Sequence, residues 1–174
     1  LYSSAASDVY KRQVPVCSAS RASVMSGVAA TTHGSYELGP RYEQLPALEN
    51  VPTLQRYFKN NGYTTLSGGK VLPHDFNGRL AGDIDRSLGR MRSPRPKGPM
   101  SRPASWSGAW DWGAYPKEDA EMADIQLAHN AAKALKEQFD KPFFMSVGFF
   151  RPHVPLFVPP KWFAQYEADK IALP

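Results

Sequence analysis

The segment VPTLQRYFKNNGYTTLSGGKVLPH, residues 51–74, predicts a helix that is followed directly by a strand. Pro52 suits the first turn of a helix, and Asn61-Gly62 is a typical helix end. The run from Tyr63 to Leu72 then predicts a buried strand that leads into a glycine-containing loop. A helix followed by a strand at this spacing is typical of α/β proteins.

The same order returns further along the chain. From Lys117 onward, apolar residues recur at steps of three and four positions, which predicts an amphipathic helix with acidic residues at its start. The apolar positions are Met122, Ile125, Ala128, Ala132, Leu135 and Phe139. After Pro142 ends this helix, PFFMSVGF (residues 142–149) predicts a fully buried strand, and RPHVPLFVPP (residues 151–160) predicts a rigid loop. We therefore expect an α/β fold with a parallel sheet.

The remaining segments are predicted to be less regular. Ser18 to Met25 suits one short helix, which Gly27 would end, and residues 28–50 are predicted to be loop. Residues 76–116 predict a long surface loop that packs on itself or lines a site. Its tryptophans could form a sugar-stacking wall or anchor the loop to the core, and both interpretations stay open. They are Trp106, Trp110 and Trp112.

Composition limits the class of protein. The 174 residues suffice for one domain with a core, and 42% hydrophobic with 21% charged residues is a globular composition. The net charge of +5 suits nucleic acid or an anionic substrate, and the basic run RMRSPRPKGPMSR (residues 90–102) lacks a nucleic-acid motif, so we interpret it as a solvated loop. A single cysteine excludes an internal disulfide. No apolar run is long enough to predict a membrane span.

The first 13 residues, LYSSAASDVYKRQ, show neither a helical nor a strand period. We interpret residues 1–13 as a non-native, adapter-like leader of the kind that translated metagenomic reads carry, and set them aside. Residues 14–174 are then expected to be the folded part and a fragment of a longer protein.

The single cysteine lies at a predicted helix start, in VPVCSASRASVMSG (residues 14–27). Helix N-terminal amides stabilise an anion, and Arg21 adds a positive charge one turn after Cys17. A thiol in that setting would be reactive. An ordinary small buried cysteine fits the composition equally well, so the residues alone leave both interpretations open.

Two further groups of polar residues follow the predicted strands. Lys70 and His74 lie in the glycine-containing loop at the end of the first predicted strand, and Arg151 and His153 come after the second. Sites of parallel sheets form beyond the carboxyl ends of the strands. We therefore predict that these residues meet Cys17 in one pocket.

The segment CSASRASVMSG resembles the active-site motif of the type I sulfatases, a cysteine followed by Pro or Ala, by Arg, and by a Leu-Thr-Gly-like triplet. The matching positions are Cys17, Ala19, Arg21 and Met25-Ser26-Gly27. Residues 57–74 and 142–163 resemble two later segments of the iduronate sulfatase-like branch, so the resemblance covers residues 14–174. It implies a parallel-sheet sandwich of alkaline phosphatase and sulfatase type, of which this chain is a partial catalytic domain.

The resemblance implies a role for each matched residue. Cys17 would be oxidised to formylglycine, whose hydrated aldehyde is the nucleophile, and would also be a calcium ligand. Arg21 would hold the hydrated aldehyde, and Lys70 would contact its oxygens and those of the sulfate. His153 would protonate the leaving group as general acid, and Arg151 would bind substrate.

His74 departs from the pattern of the branch, which has Gly-Lys-Val-Phe-His, because it stands one position later. Its ring either takes part in acid–base chemistry or merely satisfies a loop carbonyl. Two other histidines are less specific. His33 could line the substrate pocket, although a loop histidine is more often a surface residue, and His129 is predicted to be structural or solvent-facing.

The calcium site of the family is not evident in the sequence. The family uses an Asp-Asp pair on the first strand and an Asp-His or Asp-Asn pair on a later one, and neither is present. Asp83 and Asp85 share a predicted strand face but are not assigned as ligands. The other calcium ligands are therefore expected outside this chain, which should be catalytically incomplete.

The implied function is hydrolysis of sulfate esters, expected on a sulfated small molecule or polysaccharide. A formylglycine-generating enzyme is the implied partner, nucleic acid is not, and the implied localisation is periplasmic or secreted. One alternative is a phosphonate or phosphate ester hydrolase of the same superfamily. The other is a non-catalytic relic that binds anionic glycans through its basic loops.

Overall fold

The computed structural model describes residues 14–71, 82–89, 93–103, 105–167 and 170. The described helices are α1 (Cys17–Ser26), α2 (Ala30–His33), α3 (Leu54–Asn60), α4 (Ala123–Ala134) and α5 (Pro160–Phe163). The described strands are β1 (Thr64–Gly69), β2 (Arg86–Gly89), β3 (Trp112–Ala114), β4 (Phe143–Gly148) and β5 (Leu156–Val158). Short 3-10 helices span Tyr42–Gln44, Pro46–Leu48, Gly108–Trp110 and Asp119–Glu121.

The chain divides into two compact units. The described residues of the first unit lie in three segments: the chain up to Ser67, Val71–Ser87 and Phe139–Ser146. Those of the second fall in Gly68–Lys70, Leu88–Gln138 and the chain from Val147 onward.

In the described part of the chain, one sheet has the strand order β2-β1-β4 and a second pairs β3 with β5. In the first unit the Thr64 amide donates to the Pro142 carbonyl, and in the second the Lys70 amide donates to the Gly148 carbonyl. The bonds advance in the same direction along both strands, so β1 and β4 are parallel. β3 and β5 are also parallel, with Trp112 opposite Leu156. The predicted parallel α/β arrangement is confirmed.

The first unit has a small apolar core that supports α1. Ala22 and Met25 of α1 pack with Leu48 and two other residues of the following segment, Tyr42 and Leu45. Gly27 ends α1 in the left-handed region at φ 71°, as its sequence position predicts. Residues 28–50, predicted to be loop, contain α2 and two 3-10 helices, because this segment must cover the apolar face of α1.

The two strands of the predicted pattern differ in burial. Four consecutive residues of β1 are buried, as predicted, whereas β4 is only partly buried. The prediction of a fully buried second strand is wrong. The side chains of Phe143 and Val147, which lie on one face of β4, are over a third exposed.

The buried face of α4 also differs from the predicted stripe. Leu127 is 1% exposed, whereas Leu135 is 59% exposed. The other buried residues of the helix are alanines, namely Ala123, Ala131 and Ala134. The predicted stripe combined large apolar residues with alanines, and alanine fits either face of a helix, so its period did not identify the face that packs. The large side chain that packs is that of Leu127.

The segment predicted as one long loop, residues 76–116, includes β2 and β3 among its described residues. Asp111 organises its second half, since its carboxylate accepts hydrogen bonds from the backbone amides of Met100, Ser101, Arg102 and Trp112. Burial alone would raise the pKa of Asp111, but these hydrogen bonds outweigh it and lower the pKa to about 2. The three tryptophans of the segment are exposed, so they do not anchor it to a core.

Candidate active site

Cys17 is the first residue of α1 and is a half-buried free thiol. The first amides of a helix have no acceptor within the helix, and they give its N-terminus a partial positive charge. Val16 precedes the helix in an extended conformation, and its side chain forms no cap. The residue 17 side chain is therefore placed where an oxyanion or a hydroxylated group would be stabilised.

Arg21 lies one turn after Cys17 on α1, and its Nη1 atom donates to the Val71 carbonyl at 3.2 Å. Burial lowers the pKa of Arg21, and interaction with Cys17 partly opposes that decrease. The arginine remains a cation, because its ordinary pKa lies far above neutrality.

The second unit brings three predicted site residues around one aromatic ring, that of Phe150. The Lys70 Nζ atom lies 5.0 Å from the ring centroid, and the Arg151 Cζ atom lies 5.6 Å from it. The His153 ring centroid is 4.9 Å from that of Phe150. The aromatic ring is thus shared by two cations and a histidine, a cation–π arrangement. Phe150 was not predicted as a site residue, because in the sequence it is only one more apolar residue after a predicted strand.

Hydrogen bonds within residues 150–155 fix the loop that follows β4. Arg151 Nη1 donates to the carbonyls of His153, at 2.7 Å, and of Pro155. His153 Nδ1 lies 2.8 Å from the Val154 carbonyl, which can only accept, so Nδ1 carries a proton. Nε2 is then the ring nitrogen left for chemistry on this exposed side chain. Burial lowers the pKa of Arg151, Asp124 raises it and Arg95 lowers it further.

The predicted site residues are thus found in two groups. Cys17 and Arg21 lie in the first unit, and Lys70, Arg151 and His153 lie in the second. Their meeting in one pocket stays a prediction, and His74 lies outside the described residues.

His33 is buried, at 3% exposure, on α2, so the expectation of a surface loop histidine is wrong. Its Nδ1 atom accepts from the Ser35 amide at 3.1 Å, and its Nε2 atom lies 3.0 Å from Ser23 Oγ on α1. Burial lowers the pKa of His33. The neutral ring with its proton on Nε2 satisfies both contacts, so His33 supports α1. His129 is exposed on α4, as predicted.

Asp83 and Asp85, which were predicted to share a strand face, lie before β2 and have structural partners. Asp83 is fully buried, accepts from Thr53 Oγ1 and pairs with Arg56 at 2.6 Å. Asp85 pairs with Lys59 at 2.8 Å.

Within the ranges that the structure describes, no group of three or more His, Cys, Asp or Glu side chains is arranged to hold a metal ion. Calcium takes six to eight oxygen ligands, so the described donors do not fit a calcium site.

A solved structure defines the fold of the chain. The crystal structure of a phosphonate monoester hydrolase of Agrobacterium radiobacter matches 90% of this chain and 36% of that chain, with a TM-score of 0.55 and 19% identity. The likeness shows the fold alone, and the described helices and parallel strands agree with an α/β fold.

The Sulfatase family model matches residues 6–173, and the chain belongs to the sulfatase family. A protein named Sulfatase from Formosa agariphila is 33% identical over 178 aligned residues, which cover 92% of this chain and 34% of that relative. The iduronate 2-sulfatases of Mus musculus and Homo sapiens are 26% and 25% identical, each over 92% of this chain and 31% of the relative. The chain therefore spans about a third of the length of these curated relatives.

None of the helices that the structure describes is long and apolar enough to cross a membrane. The predicted leader, residues 1–13, lies outside the described residues and stays a prediction.

Proposed function

We propose that the whole protein hydrolyses sulfate esters through a formylglycine formed from Cys17. The observation that supports this most directly is the position of Cys17 at the first residue of α1 with Arg21 one turn later, in a chain of the sulfatase family. The half-buried side chain, the helix amides and the guanidinium suit a hydrated aldehyde, which carries two hydroxyl groups that accept hydrogen bonds.

The hydrated aldehyde would supply the nucleophilic oxygen and a second hydroxyl whose deprotonation releases sulfate. Arg21 holds that group at the helix terminus, and Lys70 offsets the negative charge of the sulfate oxygens. His153 gives a proton to the leaving oxygen as its bond to sulfur breaks. Arg151 contributes to substrate binding through its charge, while its Nη1 atom holds the loop. We assign His74 to acid–base chemistry at the same site.

Calcium is part of the proposal only for the whole protein. Cys17 would be one ligand, and the described residues do not supply the others. Metal analysis of the active enzyme tests this point, since full turnover by a preparation that contains no calcium would contradict it.

The proposed substrate is a sulfated carbohydrate, supported by the similarity to proteins named iduronate 2-sulfatase and by the net charge of +5. The proposed partner is a formylglycine-generating enzyme. A periplasmic or secreted location is proposed from family resemblance.

The test is to produce the whole protein with and without a formylglycine-generating enzyme. We expect the peptide that contains residue 17 to lose its thiol and to react with an aminooxy probe only after co-expression. The protein should hydrolyse an aryl sulfate only after this co-expression, and the Cys17→Ala variant should not hydrolyse it. The matched control Val24→Ala, at an exposed position of the same helix, should stay active.

An unmodified thiol with undiminished turnover would contradict the proposal. Parallel assays on an aryl sulfate and an aryl phosphonate separate it from the alternative hydrolase. Faster turnover of the phosphonate would favour that alternative.

A further inference from the structure

We propose that Asp124 is a positioning residue of the site, which holds the loop of Arg151 and His153 on α4. Its catalytic consequence rests on the proposed function, whereas its structural part does not. Asp124 is one of the acidic residues at the start of this helix, and no sequence pattern indicated a role for it.

The contacts of Asp124 are with two consecutive backbone amides. Oδ1 accepts from the Phe150 amide and Oδ2 accepts from the Arg151 amide, each at 2.8 Å. Hydrogen bonds to an ionised carboxylate are short and stronger than neutral ones. Asp124 also lies in the first turn of α4, where the helix terminus favours a negative charge. One carboxylate therefore fixes the point at which the chain leaves β4.

The same helix contacts the end of β1. Leu127, one turn after Asp124, packs where Gly68 and Gly69 leave room, since a β-carbon on Gly69 would lie 2.4 Å from Leu127 Cδ2. Asn130 Nδ2 donates to the Leu88 carbonyl of β2 at 2.9 Å. α4 thus supports the residues before Lys70 and, through Asp124, the loop with His153.

The Phe150 ring connects the end of β1, against which Leu127 packs, with the loop that Asp124 holds. Lys70, Arg151 and His153 all contact this ring, and the Phe150 amide is one of the two that Asp124 holds. Loss of the carboxylate leaves both amides without this acceptor, and the ring is then free to shift. His153 should lose its position before the helix loses its fold, because Leu127 still packs.

The structural part is tested by hydrogen–deuterium exchange of residues 149–155 in the whole protein. We expect faster exchange of the Phe150 and Arg151 amides in Asp124→Ala, with Asp124→Asn intermediate because it keeps one carbonyl oxygen. The matched control is Asp119→Ala, since that carboxylate binds Lys161 and Trp162 of α5 instead. Unchanged exchange of the loop in both Asp124 variants overturns the proposal, whether or not the protein cleaves sulfate esters.

The catalytic part is tested with two substrates that differ in their leaving group. An alkyl sulfate needs a proton on its leaving oxygen, and a nitrophenyl sulfate needs it much less. We expect Asp124→Ala to lower kcat/KM for the alkyl sulfate by about 10–100-fold. The kcat/KM for the nitrophenyl sulfate should change much less. His153→Ala should show the same pattern, and Asp124→Asn a weaker form of it.

Equal losses on both substrates would assign Asp124 to stability alone and overturn the positioning role. If wild-type protein cleaves neither sulfate ester, the proposed function fails, and exchange of residues 149–155 still decides whether Asp124 holds the loop.

Discussion

Phe150 shows how one apolar residue sets the geometry of several polar ones. Lys70 and Arg151 both lie within 6 Å of its ring, at distances where a cation–π contact contributes about 0.5–1 kcal/mol at exposed sites. Both cations are thereby held next to the same aromatic ring. A sulfate group bound near this ring would be attracted by both positive charges.

His33 gives the protein a predictable response to acid at the scale of one residue. Its pKa is lowered in the folded state, so the unfolded state binds more protons as the pH falls through about 6.5. The contribution of His33 to stability is full above that pH and is lost below it. We expect the urea midpoint to be lower at about pH 5.5 than at about pH 7.5, and His33→Gln to reduce this difference.

Two observations make that experiment specific. Glutamine can accept from the Ser35 amide and donate to Ser23, so the replacement keeps the contacts of the neutral ring. His129→Gln is the matched control, because His129 is exposed on α4. An equal effect of the two replacements would show that the buried ring is not responsible.

At the scale of elements, close approach of β1, β4 and α4 depends on glycine. Gly69 has φ +72°, and a β-carbon there would lie 2.2 Å from the Gly148 carbonyl oxygen. Neither neighbour can retreat easily, because one is strand backbone and the other, Leu127, is the large buried residue of α4. The end of β1, just before Lys70, can therefore pack this closely only because residue 69 is glycine.

Gly69→Ala should therefore destabilise the fold by roughly 2–5 kcal/mol, the sum of a left-handed backbone and overpacking. Gly62→Ala is the matched control, with φ +85° and nothing within 4 Å of the added carbon. It should cost only about 1–2 kcal/mol. Urea unfolding measures both variants, and equal losses would show that steric contact at Gly69 contributes nothing.

At the scale of the whole molecule, the strongest sequence predictions concerned local order. The α1 helix, the α3–β1 unit and the strand β4 follow from turn residues and apolar runs, which act over a few neighbours. The motif around Cys17 and Arg21 also gave the family correctly.

Contacts between distant segments were beyond the reach of sequence patterns. The buried face of α4, the burial of His33 and the roles of Phe150 and Asp124 depend on residues far along the chain. A pattern of small alanines or a lone acidic residue does not specify such partners. The calcium ligands stay a prediction because the described residues form no metal-binding group, and the placement of His74 stays one because it lies outside those residues.

The charge of the chain leads to a prediction about its substrate class. With 21 basic and 16 acidic residues, it should attract a polysulfated glycan over a neutral one. We expect binding to dextran sulfate, none to neutral dextran, and about a tenfold loss of affinity between 0.05 M and 0.5 M salt as charges are screened.

A pair of single-charge variants identifies where the glycan binds. Lys97→Gln removes an exposed charge from the basic run of residues 90–102, and Lys133→Gln removes one from the exposed face of α4. Isothermal titration calorimetry with dextran sulfate should show the larger loss for Lys97→Gln if the basic run contacts the glycan. Equal losses would mean that only the overall field attracts the polymer, and absence of binding to dextran sulfate would restrict the proposed substrate to small sulfate esters.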